Sequence, residues 1–252
     1  MHIPEEIIGA LRQARHVTVF TGAGISAESG IATFRDKGVG LWQRFNPADL
    51  ATPEAYLRDP ALVWGWYESR RLQVSAAQPN AGHMAIVELA KRVPSLSVVT
   101  QNVDDLHERA GSQNVIHLHG SLFAPRCFDC SAAYEGELCE SAPDGPVEPP
   151  RCEQCGGMIR PGVVWFGEAL PEEAIEAAAE ATRKADCFLS IGTSGLVQPA
   201  ASFAGLALTA GAVVVHVNPD AVGGGAEDEF ALRGPAGEML PELVNRLGES
   251  HR

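Results

Sequence analysis

The sequence predicts an α/β fold, a Rossmann-like parallel sheet with helices on both faces and a smaller module beside it. Two observations carry that prediction. Short β-branched runs alternate with helical stretches along most of the chain, and the first run ends in a glycine loop. A third observation concerns the smaller module. Two Cys-x-x-Cys pairs flank a long polar loop, which reads as a zinc ribbon, and a helix-rich stretch accompanies it.

The elements follow in order. Glu5–Arg15 places Ile7, Ile8 and Leu11 on one helical face. Val17–Thr21 reads as a buried strand, and the loop Gly22-Ala23-Gly24-Ile25-Ser26 is expected to open a helix. Further strands are predicted at Leu96–Thr100, Asn114–Leu118, Asp186–Ile191 and Ala212–Val217. Helices are predicted at His83–Arg92, Glu172–Lys184 and Ala200–Ala210, with a closing helix over Pro235–Leu247 begun by a proline. Two regions break the alternation. Phe34–Gln78 is rich in aromatics and helix formers, and Ser121–Pro161 holds the paired cysteines and a Pro/Gly/Glu-rich run. The expected organisation is a Rossmann-like domain of residues 1–33, 79–120 and 162–252, a helical insert at 34–78 and a zinc-binding insert at 121–161.

With 252 residues, 45% of them hydrophobic, the chain can bury a sizeable core. It has no run of eighteen apolar residues, and its N-terminus lacks a basic flank followed by an apolar stretch. A cytoplasmic protein without a membrane partner is expected, and a monomer is favoured over an oligomer. The net charge of −13 argues against nucleic-acid binding and favours basic, lysine-rich partners.

Cys127 and Cys130 form one pair, Cys152 and Cys155 the other. Each turn places two thiolates on one metal, and together they close a tetrahedral sulfur shell with no open position for water. One structural zinc is therefore expected. The 21-residue loop Ser131–Arg151 lies just beyond the usual spacing window for such sites. A redox-active pair is the competing reading; Cys139 lacks a partner at ligand spacing, and Cys187 falls inside an apolar strand.

Gly22-x-Gly24-x-x-Ala27 fits only the looser form of the dinucleotide fingerprint, so alone it says little more than a tight turn. Polar loops at the ends of the other predicted strands add weight: Thr100–His107, His117–Gly120, Gly192–Ser194 and Asn218–Asp220. Open parallel sheets bind ligands at that edge.

These segments resemble the sirtuins, NAD-dependent protein deacylases. The resemblance rests on GAGISAESGIATFR, TQNVDDLH, HLHG, both cysteine pairs, VVWFGE, GTS and VN, and covers nearly the whole chain. Two departures are Ala32, where the family usually has proline, and Pro219-Asp220, where a glutamate commonly follows the asparagine. The resemblance implies that NAD is consumed as a co-substrate. It assigns NAD contacts to Gly22, Ala23, Gly24, Ser26 and Ala27, with the Gly22–Ser26 N–H groups cradling the phosphates aided by a helix N-terminus. Thr33, Phe34, Arg35 and Trp42 would contact NAD beyond that loop. Gln101, Asn102, Val103 and Asp104 would position the nicotinamide and its ribose. Gly192, Thr193, Ser194, Asn218, Pro219, Asp220 and Ala236 would hold the adenosine half.

By the same resemblance His119 is the general base. The acyl group passes to ADP-ribose, nicotinamide leaves, and the products are free lysine and O-acyl-ADP-ribose. A histidine suits the role because its ordinary pKa of about 6.5 leaves much of it neutral. An acyl-lysine peptide is expected to dock on an extended edge at Val163–Glu168, with Val163, Trp165, Phe166, Gly167 and Glu168 as contacts. Tyr67 and Arg70 lie three apart on a predicted helix and resemble the Tyr-x-x-Arg pair of class III sirtuins. A phenol and a guanidinium together hold a carboxylate, so the acyl group is expected to be succinyl or malonyl as well as acetyl. Arg71 is expected to face solvent. Mono-ADP-ribosyl transfer to protein is the alternative activity, and a dehydrogenase lacks an evident hydride partner.

Overall fold

The computed structural model describes residues 3–31, 46–195, 198, 200–220 and 226–248. Six parallel strands form the main sheet: β1 (His16–Thr21), β2 (Ser95–Thr100), β3 (Ile116–His117), β6 (Cys187–Ile191), β7 (Val213–Asn218) and β8 (Glu229–Arg233). Their spatial order is β3-β2-β1-β6-β7-β8, the doubly wound arrangement with its topological switch between β1 and β6. The two remaining strands, β4 (Arg126–Cys127) and β5 (Ile159–Arg160), pair antiparallel outside it.

Both faces of the sheet are covered, which explains why its central strands are apolar runs rather than alternating patterns. Helices α1 (Glu5–Gln13), α5 (Ala81–Ala90) and α9 (Ala236–Gly248) bury Ile7, Leu11, Ile86, Leu89, Leu240 and Leu243 against Val17, Val19, Leu189 and Val215. Helices α7 (Glu172–Lys184) and α8 (Phe203–Thr209) cover the other face, where Phe20, Phe188 and Phe203 pack together. Beside the sheet lie α2 (Pro47–Leu50), α3 (Pro53–Arg58) and α4 (Pro60–Ala76). Their starts are written locally. Thr52 and Asp59 accept the Ala55 and Leu62 N–H groups at 3.1 and 3.0 Å, each followed by a proline at the first helical position. The short α6 (Leu106–Ala110) follows β2.

Three sequence expectations need correction. The glycine loop does not open an α-helix. Residues 23–29 form two single 3₁₀ turns, because the Asn80 side chain takes the Ile25 carbonyl at 2.7 Å and Ser29 and Gly30 donate only three residues back. The helix-terminus aid expected for the phosphates is thus absent over those residues. Strand β8 escaped prediction because Leu232 alone among its five residues is buried. Arg71 does not face solvent: it pairs through two nitrogens with buried Glu68, at 2.9 and 3.0 Å. That pair clasps the zinc-module loop, Glu68 accepting the Cys139 N–H at 2.8 Å and Arg71 donating to the Cys139 carbonyl at 2.6 Å.

Two buried histidines link α5 and α6 to the sheet. The His83 and His107 rings stand edge to face at 5.0 Å, and His107 Nε2 meets Thr21 Oγ1 at 2.9 Å. Burial pushes His83 down to about 4 and His107 down to about 3. Between those values and the ordinary 6.5, the unfolded chain binds more protons than the native one. Their stabilising effect is therefore complete above pH 6.5 and lost as pH falls. We expect stability to drop by roughly 1.4 kcal/mol per pH unit for each histidine between pH 6 and 5. Urea midpoints that stay constant between pH 7 and 5 contradict this expectation.

Candidate active site

Because the strands are parallel, the loops after β1, β2, β3, β6 and β7 open on the same edge. At the switch point the first and fourth of these loops meet. Gly22 N donates to the Ile191 carbonyl at 3.0 Å and Gly24 N to the Gly192 carbonyl at 2.9 Å. A Cβ on Gly22 or Gly24 would stand 2.8 or 2.6 Å from Gly192 backbone atoms, so the contact demands glycine. Ile25 and Ser26 donate within the loop, to Gly22 and Ala23. Four N–H groups of the expected phosphate cradle are therefore engaged within the protein.

The loop after β2 presents a buried polar unit. Asn102 Nδ2 donates to Ser26 Oγ at 3.1 Å, and Ser26 Oγ donates to Asp104 Oδ2 at 2.9 Å. Asp104 Oδ1 accepts the Leu106 N–H at 3.1 Å, and Asn102 N donates to Thr100 Oγ1 at 3.0 Å. Burial raises the Asp104 carboxyl above its ordinary value, against the Leu106 N–H and the Ser26 hydroxyl. Neither the pairing of Ser26 with Asp104, 78 residues apart, nor the part of Thr100 is visible in the sequence.

Consecutive carbonyls of the same loop hold the two histidines at and just after the end of β3. His119 Nδ1 lies 2.9 Å from the Gln101 carbonyl, and His117 Nδ1 lies 3.2 Å from that of Asn102. A carbonyl only accepts, so each Nδ1 carries the hydrogen. In neutral His119 the lone pair is then on Nε2. Burial lowers its pKa, against the Gln101 carbonyl, which keeps the ring neutral near pH 7. His117 differs. Burial opposes its protonation, but Glu108 at 2.6 Å and the Asn102 carbonyl outweigh that and raise its pKa. His119 is pinned from behind: Val164 N donates to its carbonyl at 2.8 Å, and Gly120, at φ +72°, bridges Val163.

The segment after Val163 is not an extended edge. A single bridge at Val163 is followed by a turn, with Phe166 N donating to Ala51 O at 2.9 Å and Glu168 N to Trp165 O at 3.1 Å. Trp165 is buried and Phe166 exposed. Glu168 receives Arg160 at 2.5 and 2.9 Å and the Trp165 N–H at 2.8 Å, and these contacts bend the chain. Tyr67 is buried in the cluster that holds Val163 and Trp165, and Trp165 Nε1 donates to its hydroxyl at 3.0 Å. Arg70, on the same helix, lies 5.1 Å from the centre of the Trp66 ring.

At the ends of β6 and β7, Asn218 Nδ2 donates to the Thr193 carbonyl at 2.8 Å and Gly192 N to the Val217 carbonyl at 2.9 Å. Thr193 is buried against Ser190, while Ser194, Pro219 and Asp220 are exposed. Ala236 is buried at the start of α9, beside Gly82. Thr33, Phe34, Arg35 and Trp42 lie outside the described residues.

The sulfurs of Cys127, Cys130, Cys152 and Cys155 all fall within 4.8 Å of one another, with separations of 3.4, 3.7 and 3.4 Å among neighbours. Those lengths exclude disulfides and match the roughly 3.8 Å edge of a tetrahedron with zinc–sulfur bonds of about 2.3 Å. The N–H groups of Cys130 and Asp129 hold the Cys127 thiol down at about 7. The Gly157 N–H favours a Cys155 thiolate too, yet the Cys130 and Cys127 sulfurs push that thiol up to about 12. Crowded thiolates of this kind call for a cation, and the donor set fits zinc.

The Sir2 family model matches residues 22–199. The chain is 59% identical to NAD-dependent protein deacylase 1 of Pseudomonas aeruginosa over 243 residues, covering 95% of this chain and 97% of the relative. It is 51% identical to an NAD-dependent protein deacylase of Methylococcus capsulatus over 255 residues, covering 99% of each. Among solved structures, a Sir2 homologue–NAD complex superposes with a TM-score of 0.88 at 44% identity, over 98% of this chain and 94% of the other. A Sir2 homologue mutant bound to 2′-O-acetyl ADP-ribose gives 0.87 at 44% identity, over 98% and 97%.

Proposed function

Because this chain belongs to the Sir2 family, we propose that His119 is the general base of an NAD-dependent protein-lysine deacylase built at the sheet's switch point. NAD, when bound, supplies the ADP-ribose that accepts the acyl group and releases nicotinamide. Relatives carry the name of NAD-dependent protein deacylase, and the names do not favour transfer of ADP-ribose to protein.

The observation that carries the assignment is the fixed tautomer of His119. With Nδ1–H held by Gln101, Nε2 takes a proton from a hydroxyl placed in the crevice, and the Gln101 carbonyl steadies the resulting cation. Ser26, Asn102 and Asp104 form the buried polar wall for the nicotinamide end, with Gln101 and Val103 beside it. The loops Gly22–Ala27 and Gly192–Ser194 line the phosphate side, and Asn218, Pro219, Asp220 and Ala236 the adenosine side. Thr33, Phe34, Arg35 and Trp42 belong to the same reading. The peptide runs past Val163, Phe166 and Gly167, with Trp165 and Glu168 holding the turn from inside. Residues 1–33, 79–120 and 162–252 make the cofactor-binding body, and 34–78 and 121–161 the inserts. No helix among the described residues is long and apolar enough to cross a membrane. The acidic balance supports lysine-rich protein partners rather than nucleic acid, and we place the enzyme in the cytoplasm as a monomer.

A panel of acyl-lysine peptides, with and without NAD, read by mass spectrometry, tests the reading. NAD-dependent loss of the acyl group with equimolar O-acyl-ADP-ribose is expected. Gain of ADP-ribose on the peptide with the acyl group retained overturns it.

Tyr67 and Arg70 extend the reading to acyl groups ending in a carboxylate. One turn of α4 carries both, and Arg71 is withdrawn by Glu68. Tyr67→Phe with Arg70→Met is expected to lower kcat/KM for succinyl-lysine about 100-fold, on the scale of two lost charge-assisted contacts, and that for acetyl-lysine far less. Equal losses on both substrates make the pair structural.

A further inference from the structure

Behind Tyr67 stands a chain of contacts that fixes where its proton goes. An indole N–H donates and never accepts, so the 3.0 Å contact between Trp165 Nε1 and Tyr67 Oη has one direction. The phenol oxygen receives that hydrogen and keeps its own. Among the described residues no acceptor takes the Tyr67 proton, although the side chain is only 3% exposed. A buried hydroxyl hydrogen without a partner is unfavourable, and an incoming anionic acceptor relieves it.

Trp165 is itself immobilised. The Arg160 guanidinium lies over its ring, 3.5 Å from the centre. Arg160 is in turn held by Glu168 at 2.5 and 2.9 Å and by the Val163 carbonyl at 2.9 Å. Glu168 Oε2 also takes the Trp165 backbone N–H at 2.8 Å. Ring and backbone of Trp165 are thus locked to one ion pair. The hydrogen reaching Tyr67 arrives from a fixed direction, and the phenolic O–H is left to point elsewhere. Val163 shares this cluster, and the adjacent Val164 N–H holds the His119 carbonyl, so one backbone segment ties the Tyr67 cluster to the strand end that carries the proposed base.

We propose that Trp165 is a specificity-determining positioning residue: by donating to Tyr67 it directs the phenolic proton at the terminal carboxylate of a succinyl- or malonyl-lysine side chain. The proposal rests on the acidic-acyl reading of Tyr67 and Arg70. It gives Trp165 a part distinct from contact with the peptide, since its indole nitrogen is engaged by Tyr67.

The test replaces the indole N–H without changing ring shape. Benzothienylalanine at position 165 puts sulfur where the N–H stands, and Trp165→Phe serves as a second variant. Each is assayed with NAD on matched succinyl- and acetyl-lysine peptides, in the native and the Tyr67→Phe background. The succinyl-to-acetyl ratio of kcat/KM is expected to fall about tenfold on loss of the N–H, mainly through a higher KM for the succinyl peptide. In the Tyr67→Phe background the same replacement is expected to leave the ratio unmoved. Equal loss on both peptides, or the same shift with Tyr67 absent, overturns the role and makes Trp165 structural. A ratio that responds to Tyr67→Phe but not to benzothienylalanine overturns Trp165's part and keeps the acidic-acyl reading. A ratio that ignores Tyr67→Phe overturns both.

Discussion

His119→Ala is expected to lower deacylation by about 10²–10⁴-fold while the protein stays folded. The two halves of this expectation have separate causes. The catalytic loss follows from removing Nε2, the basic nitrogen that the Gln101 carbonyl leaves available. The retained fold follows from position: the contacts that hold this strand end, Val164 N–H to the His119 carbonyl and the Gly120–Val163 bridge, are backbone contacts that alanine keeps. His117 cannot substitute. Its Nε2 is occupied by Glu108 at 2.6 Å and its pKa is raised, so it is the more protonated of the two rings. The same geometry sets a pH dependence. A base works when deprotonated, so activity rises with pH through its pKa, and burial moves that pKa of His119 below 6.5. The acid limb of kcat/KM is expected below the ordinary histidine value. Steady-state rates on an acylated peptide, with circular dichroism as the fold control, check both points. More than a tenth of native activity in a folded His119→Ala protein removes His119 from the role of base, and an acid limb above 6.5 contradicts its burial.

What the sequence conveyed depended on distance along the chain. The β1 strand and the cysteine pairs are local patterns, and β-branching or two-residue spacing suffices to read them. The parallel sheet was legible because burial on both faces leaves continuous apolar runs. Failures arose where a remote group intervened. Asn80 occupies the Ile25 carbonyl from 55 residues away and turns an expected helix into 3₁₀ turns. Glu68 withdraws Arg71 from solvent by clasping Cys139, 71 residues on. Trp165 donates to Tyr67 across 98 residues, a link that nothing local in the Val163–Glu168 run announces. Strand β8 went unseen for a different reason, since an edge with one buried side chain carries almost no period. The loops of the candidate site were therefore placed correctly on one sheet edge, while the hydrogen bonds that give each residue its task required the fold.

Removing the metal is expected to cost about 5 kcal/mol of stability and to lower the melting temperature by roughly 10–20 °C. Around the sulfurs themselves the module has little apolar packing, its other anchors being Leu122, Phe128 and the Ile159 carbonyl against the Tyr56 cluster. The small buried cluster around the sulfurs consists of Cys127, Cys152 and Ile159 with Trp64 of α4, and two of these are ligands. Among the described residues its strand pairing is limited to the two-residue β4–β5 ladder and the single bridges Arg126–Ala133 and Arg151–Met158. Without a cation the four crowded sulfurs repel one another as thiolates, and this repulsion raises the Cys130 and Cys155 thiols. The loosening would spread to α4. That helix meets the loop where Val147 N donates to Ala61 O at 2.9 Å and where Glu68 and Arg71, the residues next to Tyr67 and Arg70, hold Cys139. Metal loss should thus impair activity through unfolding and not through chemistry, because a sulfur-filled shell has no position for substrate or water. Cys127→Ser and Cys155→Ser are expected to lower both zinc content and melting temperature. Cys139→Ser is expected to keep one zinc per chain, since Cys139 stands outside the four-sulfur cluster and is held through its backbone. Elemental analysis beside thermal melts separates these cases. Native protein carrying far less than one zinc per chain, yet melting normally, contradicts the structural role. Loss of zinc on Cys139→Ser moves the ligand set itself.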